Sequence, residues 1–267
     1  VNITAVIGTY NRQHVLNRAI FSLINQTVPV KQIIVINDGS KDPVEQPLCK
    51  VVNLPKNVGL PFARNIGAKL TREGTTHVYW MDDDCELDPN CLKILSSSEI
   101  WKDDVAATGG SVWETPPEKR YRILTDKPMM IDSQGVVYDC GGLNVDESRW
   151  YLADHLRGGN MLFRKDVFFE VGMLDEAYAD VQGRSFKDET DLCLKFKKAG
   201  YKMFFNPTAK ARHYREKIGG VWEKFGSDVH FIRESEAYFH NKWRPLHYLS
   251  DWSKQVERMF EEVIKPQ

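Results

Sequence analysis

Three adjacent carboxylates, Asp82-Asp83-Asp84, follow directly on the apolar segment His77-Val78-Tyr79-Trp80-Met81. A segment rich in valine and aromatics suits a buried strand, and acids crowded at its end repel one another unless a cation sits among them. A metal site is one reading of the run; a solvated acidic turn is the other, because acids are common after strands. On an extended chain residues 82 and 84 would share one side and Asp83 would point elsewhere. A second acidic set, Asp188-Glu189-Thr190-Asp191, opens a segment in which Leu192, Phe196 and Ala199 fall at helical spacing and Gly200 supplies a stop. A carboxylate there could act as a general base. Equally, acids at a helix start favour the helix dipole, and Asp191 can pair with Lys195. In Ala209-Lys210-Ala211-Arg212-His213-Tyr214, alternation puts His213 on the face of the two alanines, as a satisfied core histidine or as a metal ligand.

The elements that must position these groups read as an α/β sheet. Ile3 to Ile7 breaks into Gly8-Thr9-Tyr10-Asn11-Arg12, and Ile33 to Ile36 breaks into Asn37-Asp38-Gly39-Ser40. Continuous apolar runs suit strands buried on both faces, with Val15 to Ile24 and Pro61 to Leu70 as crossover helices. Ligands of such sheets bind outside the carboxyl ends of the strands, where Thr9, Asp38 and Asp82 would emerge together. Asp38 could accept paired donors of a ligand or simply belong to a turn of common turn residues. Arg64, in a helix with Phe62, Ile66 and Leu70, could line a pocket or pin a nearby carboxylate. Further along, a helix from about Asn90 to Trp101 and a strand at Val105 to Thr108 are expected. From Trp113 to Tyr151 the pattern turns irregular, with Pro116-Pro117, Gly135 and Gly141-Gly142, as expected of a substrate-side region; regular elements should resume at Asn160. From Trp222 to Ile264 the chain reads as helical and aromatic-rich.

With 267 residues, 42% of them hydrophobic, the chain can bury a full core, and a formal net charge of -1 gives no support to nucleic-acid binding. No apolar run reaches the ~18 residues of a membrane span. The five cysteines show no paired spacing and read as mostly reduced thiols of a cytoplasmic protein; the sequons at Asn2 and Asn25 read as chance matches. Starting at Val1 rather than methionine leaves a removed anchor open, and peripheral contact at the cytoplasmic face of a membrane stays open with it.

In order, Thr9-Tyr10-Asn11-Arg12, Asn37-Asp38-Gly39-Ser40, Asn57-Val58-Gly59 with Ala63-Arg64-Asn65-Ile66-Gly67, Asp82-Asp83-Asp84, Gly158-Gly159-Asn160-Met161, Asp188-Glu189-Thr190-Asp191-Leu192 and Gly200-Tyr201 resemble the inverting family-two glycosyltransferases of GT-A fold. The resemblance spans about residues 3 to 213. It implies a Rossmann-like catalytic domain over residues 1–215, nucleotide-binding to 110 and acceptor-side beyond, followed by a helical extension over 216–267. It implies a nucleotide-sugar donor, UDP-sugar favoured, a glycan or lipid-linked acceptor, and a manganese or magnesium ion. The nucleotide would be held by Thr9, Tyr10, Asn11, Arg12, Asp38, Asn57, Arg64, Asp82 and Asp83, and the metal by Asp84 and His213. Gly158, Gly159 and Asn160 would floor the donor sugar. Glu189 takes the position of the base, though family members usually show Glu-Asp where this chain has Asp188-Glu189; Asp188 and Asp191 are the alternatives. Two other classes compete. A haloacid-dehalogenase-type phosphatase would carry its Asp-x-Asp at the first strand and follow it with threonine or valine, and a non-catalytic sugar-binding module would tolerate loss of the base.

Overall fold

The computed structural model describes residues 1–115, 128–131, 137–139, 145–180, 183–219 and 229–243. The expected turns at Pro116-Pro117, Gly135 and Gly141-Gly142, together with Cys140, Trp222, Phe225, Tyr248 and Trp252, lie outside these residues. The other four cysteines are free thiols.

The apolar runs form strands as their composition requires. β1 (Ile3–Thr9), β2 (Gln32–Asn37), β3 (Lys50–Asn53) and β4 (His77–Asp82) lie parallel in the order β3-β2-β1-β4. The crossovers are α1 (Gln13–Ile24) and α2 (Leu60–Lys69), with Pro61 in the first turn of α2, where a missing N–H costs nothing. Beyond β4 the sheet becomes mixed. The elements that follow are β5 (Cys85–Leu87), α3 (Cys91–Leu95), β6 (Val105–Glu114), β7 (Met129–Ile131), β8 (Val137–Asp139), β9 (Tyr151–Ala153), β10 (Met161–Arg164), α4 (Lys165–Glu170), α5 (Asp188–Lys198), β11 (Lys202–His213) and α6 (Val229–Trp243). β10 inserts antiparallel between β4 and β6, β11 runs parallel to β6, and β5 and β9 both pair antiparallel with β11. β7 and β8 form a separate hairpin.

Strand alternation divides the core into two layers. Val6, Val78 and Trp80 face α2, α4 and α5, whereas Ala5, Ile7, Tyr79 and Met81 face α1 and α3. Trp80 is fully buried, edge-on to Phe163 and Phe168, and burial of each such side chain contributes about 1.5–3 kcal/mol.

Three expectations change. The helix expected over 90–101 stops at Leu95, whose carbonyl accepts from Trp101 Nε1 and Thr108 Oγ1, closing the turn that feeds β6. β6 continues past Thr108 to Glu114 because β11 pairs along its whole length. Regular structure resumes before Asn160, first in the β7–β8 hairpin inside the stretch expected to be irregular and then at β9. Pro207 sits in β11 at the register shift between Asn206 and Lys210, the kind of interruption at which a strand tolerates a residue without an N–H.

Candidate active site

β1 lies between β2 and β4; the chain leaves β1 toward β2 and leaves β4 toward β5 on the other side, which opens a crevice at the carboxyl ends of these strands. A cavity of about 170 Å³ there is lined by residues that include Thr9, Tyr10, Arg12, Asp38, Asn57, Asp82, Asp83, Asp84, Glu189 and His213. The first-strand motif is rigid. Asn11 adopts φ 54°, a left-handed conformation that asparagine tolerates, and it ties the two strand ends together: its N–H donates to Ser40 Oγ (2.8 Å) and its Oδ1 accepts from Lys41 N–H (2.9 Å). Asp38 braces the next loop, accepting Val58 N–H at Oδ1 (2.7 Å) and Gly59 N–H at Oδ2 (2.9 Å), while Asn57 Nδ2 donates to the Asp38 carbonyl (3.0 Å).

Asp82 ends β4, and Asp83 and Asp84 form the turn joining it to β5, so strand alternation does not carry past Asp82. Asp83 therefore does not point away: it lines the crevice, accepting from Thr9 Oγ1 (2.7 Å) and from an Arg12 terminal nitrogen, Nη1 (3.2 Å). The same Nη1 donates to Asp84 Oδ2 (3.1 Å), which also accepts Glu216 N–H (2.8 Å). Arg12 Nε and Nη2 donate in turn to the carbonyls of Ile218 (3.0 Å) and Glu216 (2.5 Å). The neighbours separate in proton affinity. Burial pushes Asp83 up to about 7 despite Arg12, whereas His213 and Arg12 overcome burial at Asp84 and hold it below the usual carboxylate range.

Asp84 and His213 fit a divalent cation. Asp84 Oδ1 is buried without a hydrogen-bond donor among the described residues, and His213 Nε2 lies 3.1 Å from it, at contact distance but outside hydrogen-bond geometry. A carboxylate oxygen and an imidazole nitrogen this close together would suit a divalent cation as donors. Asp82, Cys85 and His213 also bring ligand atoms within 4.8 Å of one another. Burial alone would lower His213, but its contacts with Asp84 and Glu114 push it up to about 10, so a cation there competes with a proton.

A second cluster surrounds Arg64, which is 1% exposed and reaches from α2 toward the crevice. Its Nη2 donates to Asp82 Oδ1 (3.0 Å) and its Nη1 to Glu189 Oε1 (2.7 Å). Of the two open readings of Arg64, the structure contains the pin on carboxylates, and those carboxylates line the pocket. Burial opposes charge on Glu189, yet Arg64 holds it below its ordinary value, so it is an ionised acceptor at neutral pH. Gly158 makes this approach possible, since a Cβ there would meet Glu189 Oε1 at 2.0 Å.

The three acids of α5 divide by position. Glu189 lines the crevice. Asp188 is buried, and burial with the neighbouring Glu189 pushes it up to about 7. Asp191 is fully buried and anchors α6, accepting from Trp243 Nε1 (2.7 Å) and Tyr178 Oη (3.3 Å), with Lys242 Nζ at 2.7 Å and Lys195 Nζ at 3.4 Å. The residue before α5, Lys187, holds φ 71°, with Glu236 of α6 3.4 Å from its ammonium. Asn160 is likewise interior: its Oδ1 accepts from Tyr79 Oη (2.8 Å) and Cys91 Sγ (3.3 Å), and its Nδ2 donates to the carbonyls of Ser111 (3.2 Å) and Ala209 (2.8 Å). Of the expected sugar floor, the backbone of Gly158 and Gly159 is the part beside Glu189 and Asp82. Glu114 carried no sequence signal, since the strand was expected to end at Thr108, yet it contacts His213.

Sheet order, crevice and acidic turn define a GT-A architecture, and solved structures share it. GalNAc-T7 with UDP, GalNAc and Mn2+ superposes over 97% of this chain and 54% of that one, with TM-score 0.67 at 19% identity; Staphylococcus aureus TarS 1-349 does so over 78% and 61%, with TM-score 0.54 at 13% identity. More particularly, the chain belongs to glycosyl transferase family 2, whose profile matches residues 4–172, and it is a sugar-transferring enzyme. Similar curated proteins include the glucosyl-dolichyl phosphate glucuronosyltransferase of Haloferax volcanii, 24% identical over 234 residues (80% of this chain, 69% of that protein), and chondroitin synthase of Escherichia coli, 24% identical over 208 residues (66% and 30%). The chain thus spans less than a third of chondroitin synthase and about half of the GalNAc-T7 chain. No described helix is long and apolar enough to cross a membrane.

Proposed function

We propose that the chain is a metal-dependent, inverting transferase that moves a sugar from a nucleotide-sugar, UDP-sugar favoured, to a hydroxyl of a glycan or lipid-linked acceptor. What carries this reading is the convergence, in one crevice, of the Asp38 loop, the Asp84–His213 pair and an ionised Glu189. Thr9, Tyr10, Asn11, Arg12, Asp38 and Asn57 form the nucleotide seat, with Arg64, Asp82 and Asp83 at its diphosphate end. Asp84 and His213 hold the cation, and when bound it supplies Lewis acidity toward the diphosphate oxygens. The manganese and UDP in the GalNAc-T7 structure, and the lipid-linked and polysaccharide products in the names of the two relatives, support these choices.

In the reaction the Glu189 oxygen that Arg64 does not hold takes the proton of the acceptor hydroxyl. The hydroxyl oxygen bonds to the anomeric carbon as the bond to the diphosphate breaks on the opposite face, and its electron pair leaves with the nucleoside diphosphate. Configuration inverts in this single displacement. Arg64 keeps Glu189 ionised and aimed, at the cost of some basicity. The test is acceptor-dependent release of UDP from a panel of UDP-sugars and glycan or glycolipid acceptors, with the product anomer assigned by NMR. Release should require manganese or magnesium and give the inverted anomer. Full activity in excess chelator, or a retained anomer, refutes the mechanism.

A further inference from the structure

The register of β6 and β11 sets Glu114 directly opposite His213 at the crevice end of both strands. Glu114 Oε2 lies 3.1 Å from His213 Nδ1 and 3.5 Å from Arg215 Nε, while Oε1 accepts from Arg157 Nη1 (3.0 Å). The Glu114 side chain is 7% exposed, so these contacts are made away from bulk water. Arg157 also pairs with Asp139 at the end of the β7–β8 hairpin, and it immediately precedes the Gly158-Gly159 backbone beside Glu189 and Asp82.

We propose that Glu114 is a positioning residue of the metal site: it takes the Nδ1–H of His213, so that Nε2 is the nitrogen presented beside Asp84 to a divalent cation. The inference rests on the metal-dependent reading above. An imidazole has two nitrogens, and the partner of one decides the role of the other; a carboxylate behind a histidine ligand fixes ring orientation and raises its basicity as a ligand. Charge agrees with this role. Arg157 pairs with both Glu114 and Asp139, and Arg215 lies beside Glu114, so cations accompany the carboxylate that stands behind the ring. Arg157 extends the same contact to the backbone at Gly158, linking the cation's ligand to the floor on which Glu189 rests.

The experiment measures Mn2+ binding by electron paramagnetic resonance in the presence of UDP, UDP binding in excess chelator by calorimetry, and thermal unfolding, for wild type and Glu114→Gln. The glutamine keeps the size but loses the charge. A positioning role predicts Mn2+ affinity lower by about tenfold or more, with UDP binding in chelator unchanged. Wild-type Mn2+ affinity in the variant overturns the proposal. Equal losses of Mn2+ and chelator-insensitive UDP binding also overturn it, since they mark a merely structural residue. Should Glu114→Gln not fold, Glu114→Asp carries the same comparison, because it keeps the charge and withdraws the carboxylate by one methylene. If wild type itself binds no Mn2+, the metal-dependent reading fails first and takes this inference with it, an outcome distinct from binding that is insensitive to residue 114.

Discussion

Two buried arginines organise the two sides of the crevice, and they do so differently. Arg12 clamps Asp83 and Asp84, whose side chains are 5% and 1% exposed, and spends its remaining donors on the backbone of residues 216–218. Arg64 clamps Asp82 and Glu189, whose side chains are 32% and 27% exposed. On the Arg12 side the acids are sealed, so the cation is part of what makes their burial tolerable and lets the following loop close over them. On the Arg64 side the acids face the crevice, so the cation tunes groups that water and ligands can reach. One clamp holds a turn together; the other aims two crevice-facing carboxylates and keeps Glu189 charged.

The largest expected effect falls on the sealed side. Asp84→Asn should abolish turnover, a loss of about a thousandfold or more, because it removes the oxygen charge that the cation needs; Mn2+ binding should vanish while the fold persists. Next, Arg12→Met should leave two buried carboxylates without their partner and cost about 3 kcal/mol or more in chemical denaturation. Arg64→Met should cost less stability, since Asp82 and Glu189 can be hydrated, and should show its effect in transfer rate. If the two methionine variants lose equal stability, the contrast between the clamps is wrong. Glu189→Gln should slow single-turnover transfer by about a hundredfold with UDP and Mn2+ binding intact, and Glu189→Asp should retain part of the rate. Near-normal transfer by the glutamine variant would move the base to Asp188.

The smallest effect is on stability against pH. With its folded value raised to about 7, Asp188 stabilises the fold fully only below its ordinary value of about 4, and that contribution is lost as pH rises to 7. Asp188→Asn removes the loss, so it should exceed wild type at pH 8 by on the order of 1 kcal/mol and by less at pH 5, both measured by thermal unfolding in chelator. An equal margin at both pH values would show that Asp188 is not raised.

Much of the strand framework was legible because buried parallel strands write continuous apolar runs. Ile3 to Ile7, Ile33 to Ile36 and His77 to Met81 could be placed, and their polar ends drawn into one crevice, from composition and order alone. Asp83 was misplaced because a period of two applies only while the chain stays extended, and Asp83-Asp84 is a turn that follows the last strand residue, Asp82. Asn160 illustrates a different limit. A polar residue beside two glycines looks like a ligand contact, but all four of its polar bonds lie inside, joining β4, α3, β6 and β11, and a linear pattern does not record which strands a loop passes between. Glu114 was invisible for the same reason, since its partner lies 99 residues away and meets it only through the β6–β11 register. The parting of Asp191 from Glu189 depends on α6, whose docking face cannot be read without knowing what it covers.

That docking carries a consequence for how the enzyme is made. Asp191 and its indole partner Trp243 are 52 positions apart, and the left-handed residue that opens α5 leans on Glu236. A growing chain therefore displays the motifs from Thr9 to Tyr201 well before the helix bearing Glu189 has its anchor. Synthesis supplies the α6 partners of Asp191 and Lys187 late, and a fragment cut before residue 229 would lack them.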